Sequence, residues 1–365
     1  MGRRTFRLGH SLELQDLDGR DHYSSERKAA AKRRQASASK LATEVEEHDP
    51  DAMLRLPDAS QWGHLPQATI RQRHSQWIDL LQDDGSTLRA TLAGKLKGVR
   101  LVCGDRVHFE PNPNVEHADA KLPGAAVVAV LPRRSLLKRG GIDDREPWQL
   151  VCANADELWV CAAVIDPPLR PGLLERAHAL ALDAGLGFRI VVTKRDRAAK
   201  GDTLPELDPI RDLGIPIIET SSKTGMGVGE LMGMMDGRKI VLMGHSGVGK
   251  SSLVNALLPG VELRVGAISK YGTGRQTTSS AAWLPAPNGG ALIDTPGIRT
   301  LSVRGLSREL LPKIFPELPL EWLDDPSAID PFDDDLDIKY PERVLSLRRL
   351  WEEMATKNPN QNVHR

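Results

Sequence analysis

The chain has 365 residues, which is long enough for two or three domains that each bury a core of their own. Its 49 basic and 49 acidic residues cancel, so the net charge by itself indicates no class of partner. The three cysteines, Cys103, Cys152 and Cys161, are spaced for neither a disulfide framework nor a zinc knuckle, and no apolar run approaches the roughly 18 residues of a membrane span. With no signal-peptide pattern at the start, the sequence predicts a cytoplasmic protein without a membrane partner.

Residues 1–66 predict a basic, mobile arm that is helical at most in part. The first 40 residues carry ten Lys or Arg against five Asp or Glu, and the middle of the arm has no sustained apolar face. Release of counterions favours such a cluster where it meets nucleic acid. Basic termini are also often only solubilising, so both roles stay open for this arm.

Residues 67–135 change to short alternating apolar runs. The stretch "HSQWIDLLQDDGSTLRATL" predicts two strands around a turn at Asp84 and Gly85, and "GDRVHFEP" and "GAAVVAVLP" predict further strands. Several short strands at this spacing are typical of a small barrel of the oligonucleotide-binding (OB) type. Trp62 and Trp77 suit a core or a linker equally well, and neither is assigned a base-stacking role.

Residues 136–303 predict an open α/β sheet. The strand-like "ELWVCAAV" and "FRIVVTKRD" flank the helix-like "GLLERAHALALDAG", and apolar strands follow in "IPIIETSSKTGMG", "KIVLMGHSG" and "GGALIDTPG". Continuous apolar strands are typical of a parallel sheet that is buried on both faces. Residues 304–365 then predict a small, mainly helical C-terminal domain.

A phosphate-binding loop lies within "VLMGHSGVGKSSLVNALLPG", residues 241–260, which fits G-x-x-x-x-G-K-[ST] between a strand and a helix. Glycines let backbone N–H groups turn towards phosphate oxygens at a helix N-terminus, where the helix dipole also favours an anion. Lys250 is expected to reach the β- and γ-phosphates, and Ser251 to bind Mg²⁺. The predicted phosphate-binding residues are Gly244, His245, Ser246, Gly247, Val248, Gly249, Lys250, Ser251 and Ser252.

Three further segments point to guanine as the base. "DTPG" follows a strand and places Asp294 to hold Mg²⁺ through a water and the Gly297 N–H to meet the γ-phosphate. "TKRD", which contains Thr193, Lys194 and Asp196, is similar to N-K-x-D, in which a carboxylate accepts from the ring N–H and the amine of guanine. "TSSK" is similar to S-A-K, which touches the guanine carbonyl. The Asp196 carboxylate would reject adenine, because adenine presents an acceptor where guanine presents its ring N–H. In "TSSK" the residues predicted to bind the base are Ser221, Ser222 and Lys223.

The order of these motifs is unusual, because the base-reading pair precedes the phosphate loop, whereas ordinary GTPases have the phosphate loop first. A short linker, about residues 225–237, can join the two parts of the sheet if the chain is cut elsewhere. The sequence therefore predicts a circularly permuted P-loop GTPase domain.

A barrel, a permuted GTPase domain and a helical tail resemble the small-ribosomal-subunit-dependent GTPase A family (RsgA/YjeQ type). The resemblance covers about residues 67–318, and its further motifs are "GDRV", "PRRSLLKR", "ANADELWV" and "GRQTTS". It implies GTP hydrolysis that the small ribosomal subunit stimulates during late maturation, contact with its rRNA, GTP, GDP and Mg²⁺ as ligands, and action as a monomer.

Two departures from the family pattern change what is expected. No cysteine follows Cys161, so the usual Cys/His zinc knuckle is not expected, and the acidic run in its place lacks the glycine and final Glu of a calcium loop. A face of Leu345, Leu347, Leu350, Trp351 and Met354 is expected to hold the C-terminal domain by apolar packing instead.

The second departure lies in the switch, where Gln276 replaces the usual His of "G-[RK]-H-T-T". The position after "DTPG", where many GTPases carry a water-orienting Gln, is Ile298. Gln276 is therefore the candidate group for aiming water, or else an exposed loop amide. The resemblance places Thr277 on Mg²⁺ and Thr278 beside the γ-phosphate, so the catalytic candidates are Lys250, Gln276 and Thr277.

Two other functions remain open on the sequence alone. Thr193 and Gln276, which replace Asn and His, leave room for an RNA- or ribosome-binding module that binds GTP with little turnover. An ATP-driven P-loop enzyme is disfavoured by Asp196 and by "DTPG". Turnover measured with and without the subunit distinguishes the binding module from a GTPase that the subunit stimulates. Competition between GTP and ATP distinguishes the ATP-driven enzyme from a GTPase.

Overall fold

A computed structural model describes residues 56–96, 98–112, 124–141, 148–199, 202–261, 281–295, 301–330, 332 and 338–355. These residues belong to one unit of the chain, Pro50–Arg365. Most of the predicted basic arm, and the predicted site residues Gln276, Thr277, Thr278 and Gly297, lie outside the described residues. The domain boundaries given above stay predictions.

The first described domain is a closed barrel of five strands in the order β1-β2-β3-β5-β4. β3 and β5 pair in parallel and the other pairs are antiparallel. The interior is filled by alternate residues such as Ile70, Leu80, Val107 and Phe109, as a small barrel requires. This confirms the predicted OB-type barrel. Its strands are β1 Gln67–Arg73, β2 Ile78–Gln82, β3 Thr87–Leu92, β4 Arg106–Pro111 and β5 Ala125–Val130.

A hairpin of β6 Leu136–Gly140 and β7 Trp148–Ala153 connects the barrel to the second domain. Gly104 packs so closely on it that a Cβ there would lie 2.1 Å from the carbonyl oxygen of Ala153. Gly104 has φ +89°, and its carbonyl accepts a 2.9 Å hydrogen bond from the Asn154 side chain. Only glycine fits this contact, which brings "GDRV" against "ANADELWV".

The second domain is built on a six-stranded sheet in the order β10-β9-β8-β11-β13-β12. All pairs are parallel except β12 with β13. Residues 158–163 of β8 are all buried, because helices cover both faces of the sheet. The strands are β8 Glu157–Ala163, β9 Gly187–Thr193, β10 Ile217–Glu219, β11 Lys239–Gly244, β12 Ala282–Pro285 and β13 Ala291–Asp294.

The order of the strands confirms the predicted permutation, since β11 lies in the middle of the sheet between β8 and β13 although it comes fourth along the chain. The antiparallel edge strand β12 was not predicted. The helices of this domain are α1 Pro171–Ala184, α2 Asp208–Asp212, α3 Val228–Met234 and α4 Lys250–Leu257. None of the helices that the structure describes is long and apolar enough to cross a membrane.

The C-terminal part is helical, as predicted, with α5 Leu311–Ile314, α6 Leu320–Asp324 and α7 Pro341–Ala355. The predicted apolar face of α7 is confirmed at Leu347, Leu350 and Met354, which are buried, whereas Leu345 and Trp351 are only half-buried. Apolar packing was an incomplete prediction, because the fully buried Arg343 also joins α7 to Glu175 of α1 through a 2.8 Å ion pair.

Candidate functional site

The phosphate loop connects the end of β11 to the start of α4. Gly244, Gly247 and Gly249 have φ of +155°, +84° and +96°, values that side chains other than glycine rarely adopt. A Cβ on Gly244 would also lie 2.5 Å from the carbonyl oxygen of Cys161 on the neighbouring β8. The tight approach of β8 and the left-handed turns therefore require the glycines of the motif, and they shape a loop at a helix N-terminus.

Lys250 lies beneath this loop. Its ammonium Nζ is 2.7 Å from the carbonyl oxygen of Gly244 and 3.2 Å from that of His245. The side chain is buried, and burial lowers its pKa while Asp294 partly opposes this. In the described part of the chain no carboxylate lies within ion-pair distance of Lys250, so its charge is held by two carbonyl dipoles that a phosphate can replace.

Asp294 ends β13 next to the phosphate-loop strand. Burial raises its pKa to about 6, and the nearby Lys250 charge partly opposes the rise. The following Thr295 donates from Oγ1 to the carbonyl of Leu242 at 2.8 Å, which anchors the end of β13 on β11. At neutral pH the Asp294 carboxyl is therefore mostly ionised, as a ligand for a cation or its water must be.

The first base-reading segment packs directly on the phosphate loop. Thr193 Oγ1 donates to the carbonyl of Val248, and it lies 3.3 Å from the carbonyl oxygen of Ala162. The Lys194 ammonium donates to the carbonyl of Asp166, in the loop that connects β8 to α1. Thr193 thus joins the end of β9 to the phosphate loop, 55 residues further along the chain.

The second base-reading segment supports the carboxylate of the first. Ser221 Oγ donates to Asp196 Oδ1 at 2.7 Å, and this hydrogen bond is the main cause of the lowered pKa of Asp196. Asp196 is exposed while Ser221 is fully buried. The carboxylate is therefore ionised, its Oδ1 is held by Ser221, and the side chain is exposed to solvent. Ser222 is half-buried and Lys223 is exposed beside it.

The remaining residues of the predicted site lie around the first turn of α4. Ser251 and Ser252 are half-buried, Ser246 is exposed, and burial, then the Arg170 and Lys250 charges, lower the pKa of His245. Sequence reasoning missed the part played by the β8–α1 loop, whose Asp166 carbonyl meets Lys194. That loop follows a parallel strand at the same sheet edge, which is the one signal that pointed to it.

No group of three or more His, Cys, Asp or Glu side chains suited to a metal ion occurs within the residues that the structure describes. The predicted absence of zinc remains a prediction, to be tested by elemental analysis.

The carboxyl ends of β9, β10, β11 and β13 thus bring together "TKRD", "TSSK", the phosphate loop and Asp294 at one edge of the sheet. The strands that carry the base-reading segments, β9 and β10, precede the phosphate-loop strand β11 along the chain. In the sheet they lie on the other side of β8 from β11. This fold and this site define a circularly permuted P-loop GTPase.

Comparisons with known proteins agree with this class. A family model described as RsgA GTPase matches residues 130–304. The small ribosomal subunit biogenesis GTPase RsgA of Gemmatimonas aurantiaca is 34% identical over 245 residues, which are 66% of this chain and 78% of that protein. The protein of the same name from Pseudomonas aeruginosa (strain UCBPP-PA14) is 37% identical over 266 residues, 70% of this chain and 74% of that protein. The chain belongs to the RsgA family of GTPases.

Two solved structures share the fold. YjeQ from Thermotoga maritima gives a TM-score of 0.56 at 23% sequence identity, over 80% of this chain and 99% of that one. YloQ, described as a circularly permuted GTPase, gives a TM-score of 0.50 at 20% identity, over 82% and 98%. Membership of the family makes this chain a GTP hydrolase that binds guanine nucleotide, and it favours neither the ATP-driven enzyme nor the module with little turnover.

Proposed function

We propose that this GTPase binds the small ribosomal subunit in the cytoplasm, as a monomer, and hydrolyses GTP during late maturation of that subunit. The relatives named above are small ribosomal subunit biogenesis GTPases. The observation that carries the proposal is the meeting of Thr193 with the phosphate loop, because it assembles in space the motifs that the permuted chain separates.

The nucleotide contacts follow from the site. Backbone N–H groups of residues 244–252 surround the phosphates, and Lys250 leaves its two carbonyl partners to meet the β- and γ-phosphates. Asp196 accepts from the ring N–H and the amine of guanine, with Ser221 holding its other oxygen. The Lys194 stem lies along the base, and Ser222 and Lys223 border the guanine carbonyl.

A magnesium site fits the oxygen donors present here. Ser251 offers a half-buried hydroxyl in the first turn of α4, and Asp294 offers a carboxylate that is mostly ionised at neutral pH and acts through a water. Thr277 is the third proposed contact. When bound, Mg²⁺ neutralises charge that develops on the phosphate oxygens. The residues of the chain position the nucleotide and the water.

The attacking water needs a polar group to orient it, and Ile298 cannot hydrogen-bond. We assign this role to Gln276, with Thr278 and the Gly297 N–H at the γ-phosphate. The small subunit accelerates turnover by ordering the segment that carries Gln276.

The rRNA contact is proposed for the barrel. Trp77 stacks with His74 at 5.1 Å between ring centroids, and the Arg89 guanidinium lies 4.6 Å from the Trp77 ring. The Lys95 ammonium lies 3.9 Å from the Trp62 ring. Cations that lie against aromatic rings suit the phosphates and bases of single-stranded RNA, and the basic arm adds a sequence-independent electrostatic contribution.

The test is single-turnover hydrolysis of GTP, with and without purified small subunits, by wild type, Gln276→Ala and the control Gln149→Ala. Gln149 is exposed on β7, a strand that carries none of the predicted nucleotide-site residues. We expect the subunits to accelerate wild type and Gln149→Ala alike, and to accelerate Gln276→Ala at least tenfold less. Absence of acceleration in wild type would refute the partner, while equal acceleration of Gln276→Ala would refute only the role of that residue.

A further inference from the structure

The side chains of the first base-reading segment make polar contacts in two directions. Thr193 and Lys194 contact the phosphate loop and the β8–α1 loop. Arg195, the one residue of "TKRD" to which the motif gives no role, instead contacts the end of β10. Its Nε lies 2.6 Å from Oε2 of Glu219, and its Nη2 donates to the carbonyl of Asp202. Arg195 therefore joins this segment to the neighbouring strand.

The ion pair between Arg195 and Glu219 is largely shielded from water. The two side chains are 15% and 28% exposed, and salt screens such a pair less than a fully exposed one. Glu219 Oε1 also lies 3.8 Å from Arg211, so Arg195 is the closer of these two cations. A shielded pair at short distance can hold two segments in a defined geometry, whereas an exposed pair contributes little.

The backbone beside Arg195 has a conformation that its surroundings must hold. Lys194 has φ +60° and ψ +30°, in the left-handed region that residues other than glycine rarely adopt. Directly after this turn, the Arg195 N–H donates to the carbonyl of Thr220 at 3.0 Å, and one turn of 3-10 helix, Arg195–Arg197, carries Asp196. Both the backbone and the side chain of Arg195 thus fix the turn that presents Asp196.

The partner of Arg195 leads into the second base-reading segment. Glu219 is the last residue of β10, two residues before Ser221, whose Oγ donates to Asp196 Oδ1 at 2.7 Å. The contacts Arg195–Glu219 and Asp196–Ser221 are therefore successive links between the same two segments. The ion pair brings the segments together, and the hydrogen bond then orients the carboxylate.

We propose that Arg195 is a positioning residue for guanine recognition, because its ion pair with Glu219 sets the relative position of the two base-reading segments. The inference rests on the proposed contact of Asp196 with guanine. Small displacements of a positioned group are costly in function. Loss of the ion pair should therefore weaken binding at the base and leave the contacts of the phosphate loop unchanged.

The test compares Arg195→Met with the matched control Arg189→Met. Arg189 is 14% exposed and lies 3.0 Å from Glu157, near the start of β9, whereas Arg195 follows the end of that strand. Calorimetric titration measures the binding of GDP, of a non-hydrolysable GTP analogue and of inorganic tripolyphosphate. We expect Arg195→Met to weaken both nucleotides about tenfold and to leave tripolyphosphate binding unchanged. Arg189→Met should change none of the three. In steady-state hydrolysis, Arg195→Met should raise KM without changing kcat.

Glu219→Gln tests the same contact from the other partner and should give the same pattern. The double variant Arg195→Met/Glu219→Gln should bind nucleotide no more weakly than Arg195→Met, since both changes remove one interaction. If Arg195→Met does not fold, Glu219→Gln decides the outcome. The proposal would be overturned by unchanged nucleotide affinity, by an equal loss of tripolyphosphate binding, or by additive effects in the double variant.

A failure of the guanine contact itself would give a different result. Asp196→Asn should gain affinity for xanthosine triphosphate, because an amide can donate to the extra carbonyl of xanthine. Absence of that gain would refute the role of Asp196 in reading the base. Arg195→Met keeps the carboxylate and should lose affinity for GTP without gaining affinity for xanthosine triphosphate, and a gain would count against its role in positioning.

Discussion

Replacement of Arg343 by Met tests how the C-terminal helices are held on the GTPase domain. The guanidinium is 2% exposed and lies 2.8 Å from Glu175, 2.6 Å from Glu317 and 2.6 Å from the Ile314 carbonyl oxygen. It also lies 4.5 Å from the Phe315 ring centroid. Burial raises the pKa of Glu175, and Arg343 is the largest opposing influence. Arg343→Met keeps the aliphatic volume but leaves the Glu175 carboxylate buried without its cation.

Loss of one partner from a buried ion pair costs about 3–5 kcal/mol, because the remaining charge is neither solvated nor paired. That is a large part of the roughly 5–15 kcal/mol that stabilises a folded domain. The variant should raise the pKa of Glu175 further, and a carboxyl whose folded-state pKa is raised loses stability as pH rises through that pKa. The penalty should therefore be smallest in mild acid and grow towards neutral pH. In the double variant Arg343→Met/Glu175→Gln no buried charge remains, and most of the loss should be recovered.

The assay is urea unfolding of wild type, both single variants and the double variant, followed by circular dichroism at mildly acidic and mildly alkaline pH. Arg349→Met is the matched control, since Arg349 is exposed on the same helix. A loss below about 1 kcal/mol for Arg343→Met, in the range of surface ion pairs, would refute the reasoning. A loss that does not change with pH, or that the double variant fails to reduce, would also count against it.

Three site variants and one metal analysis provide the remaining predictions. Lys250→Ala should weaken GTP binding by about 2–5 kcal/mol and abolish phosphate release, because it removes the buried charge that faces the phosphates; normal turnover would contradict this. Asp196→Asn should relax the preference for guanine over xanthine nucleotides in competition assays, since an amide also donates. Asp294→Asn should lose Mg²⁺-dependent turnover yet unfold at higher urea. The rise of the Asp294 pKa from 3.8 to about 6 corresponds to about 3 kcal/mol of stability that ionisation removes at neutral pH, so this gain should vanish near pH 4. Elemental analysis should find no stoichiometric zinc in the purified protein, and one zinc per chain would overturn that expectation.

Local sequence patterns were sufficient to predict most of the fold. The alternating apolar runs after Gln67 predicted the barrel strands, because a strand that is buried on one face alternates apolar and polar residues. The continuous apolar runs predicted the parallel strands, because those strands are buried on both faces. The phosphate loop could also be predicted from the sequence, because its backbone angles at Gly244 and Gly249 are ones that few residues other than glycine adopt. The order of the motifs along the chain then predicted the permutation before any contact was known.

Long-range pairing could not be predicted in this way. Arg343 belongs to a helix whose pattern indicates an apolar face, and nothing near it in sequence reveals that its partner is Glu175, 168 residues away. The short strand β12 is too brief for its own periodicity and exists through its pairing with β13. The same holds for the hydrogen bond from Thr193 to the Val248 carbonyl, which joins groups 55 residues apart; the predicted contact of Thr193 with the base stays a prediction.

By itself, therefore, the sequence determined the class of the protein: a barrel, a permuted guanine-nucleotide domain and a helical tail that lacks cysteine. Only the tertiary structure decided which polar groups are buried together and how Asp294 and Lys250 perturb each other. The physical reason is one of range. Backbone angles and periodicity are requirements on neighbouring residues, whereas desolvation and charge pairing depend on surfaces that meet only when distant segments pack.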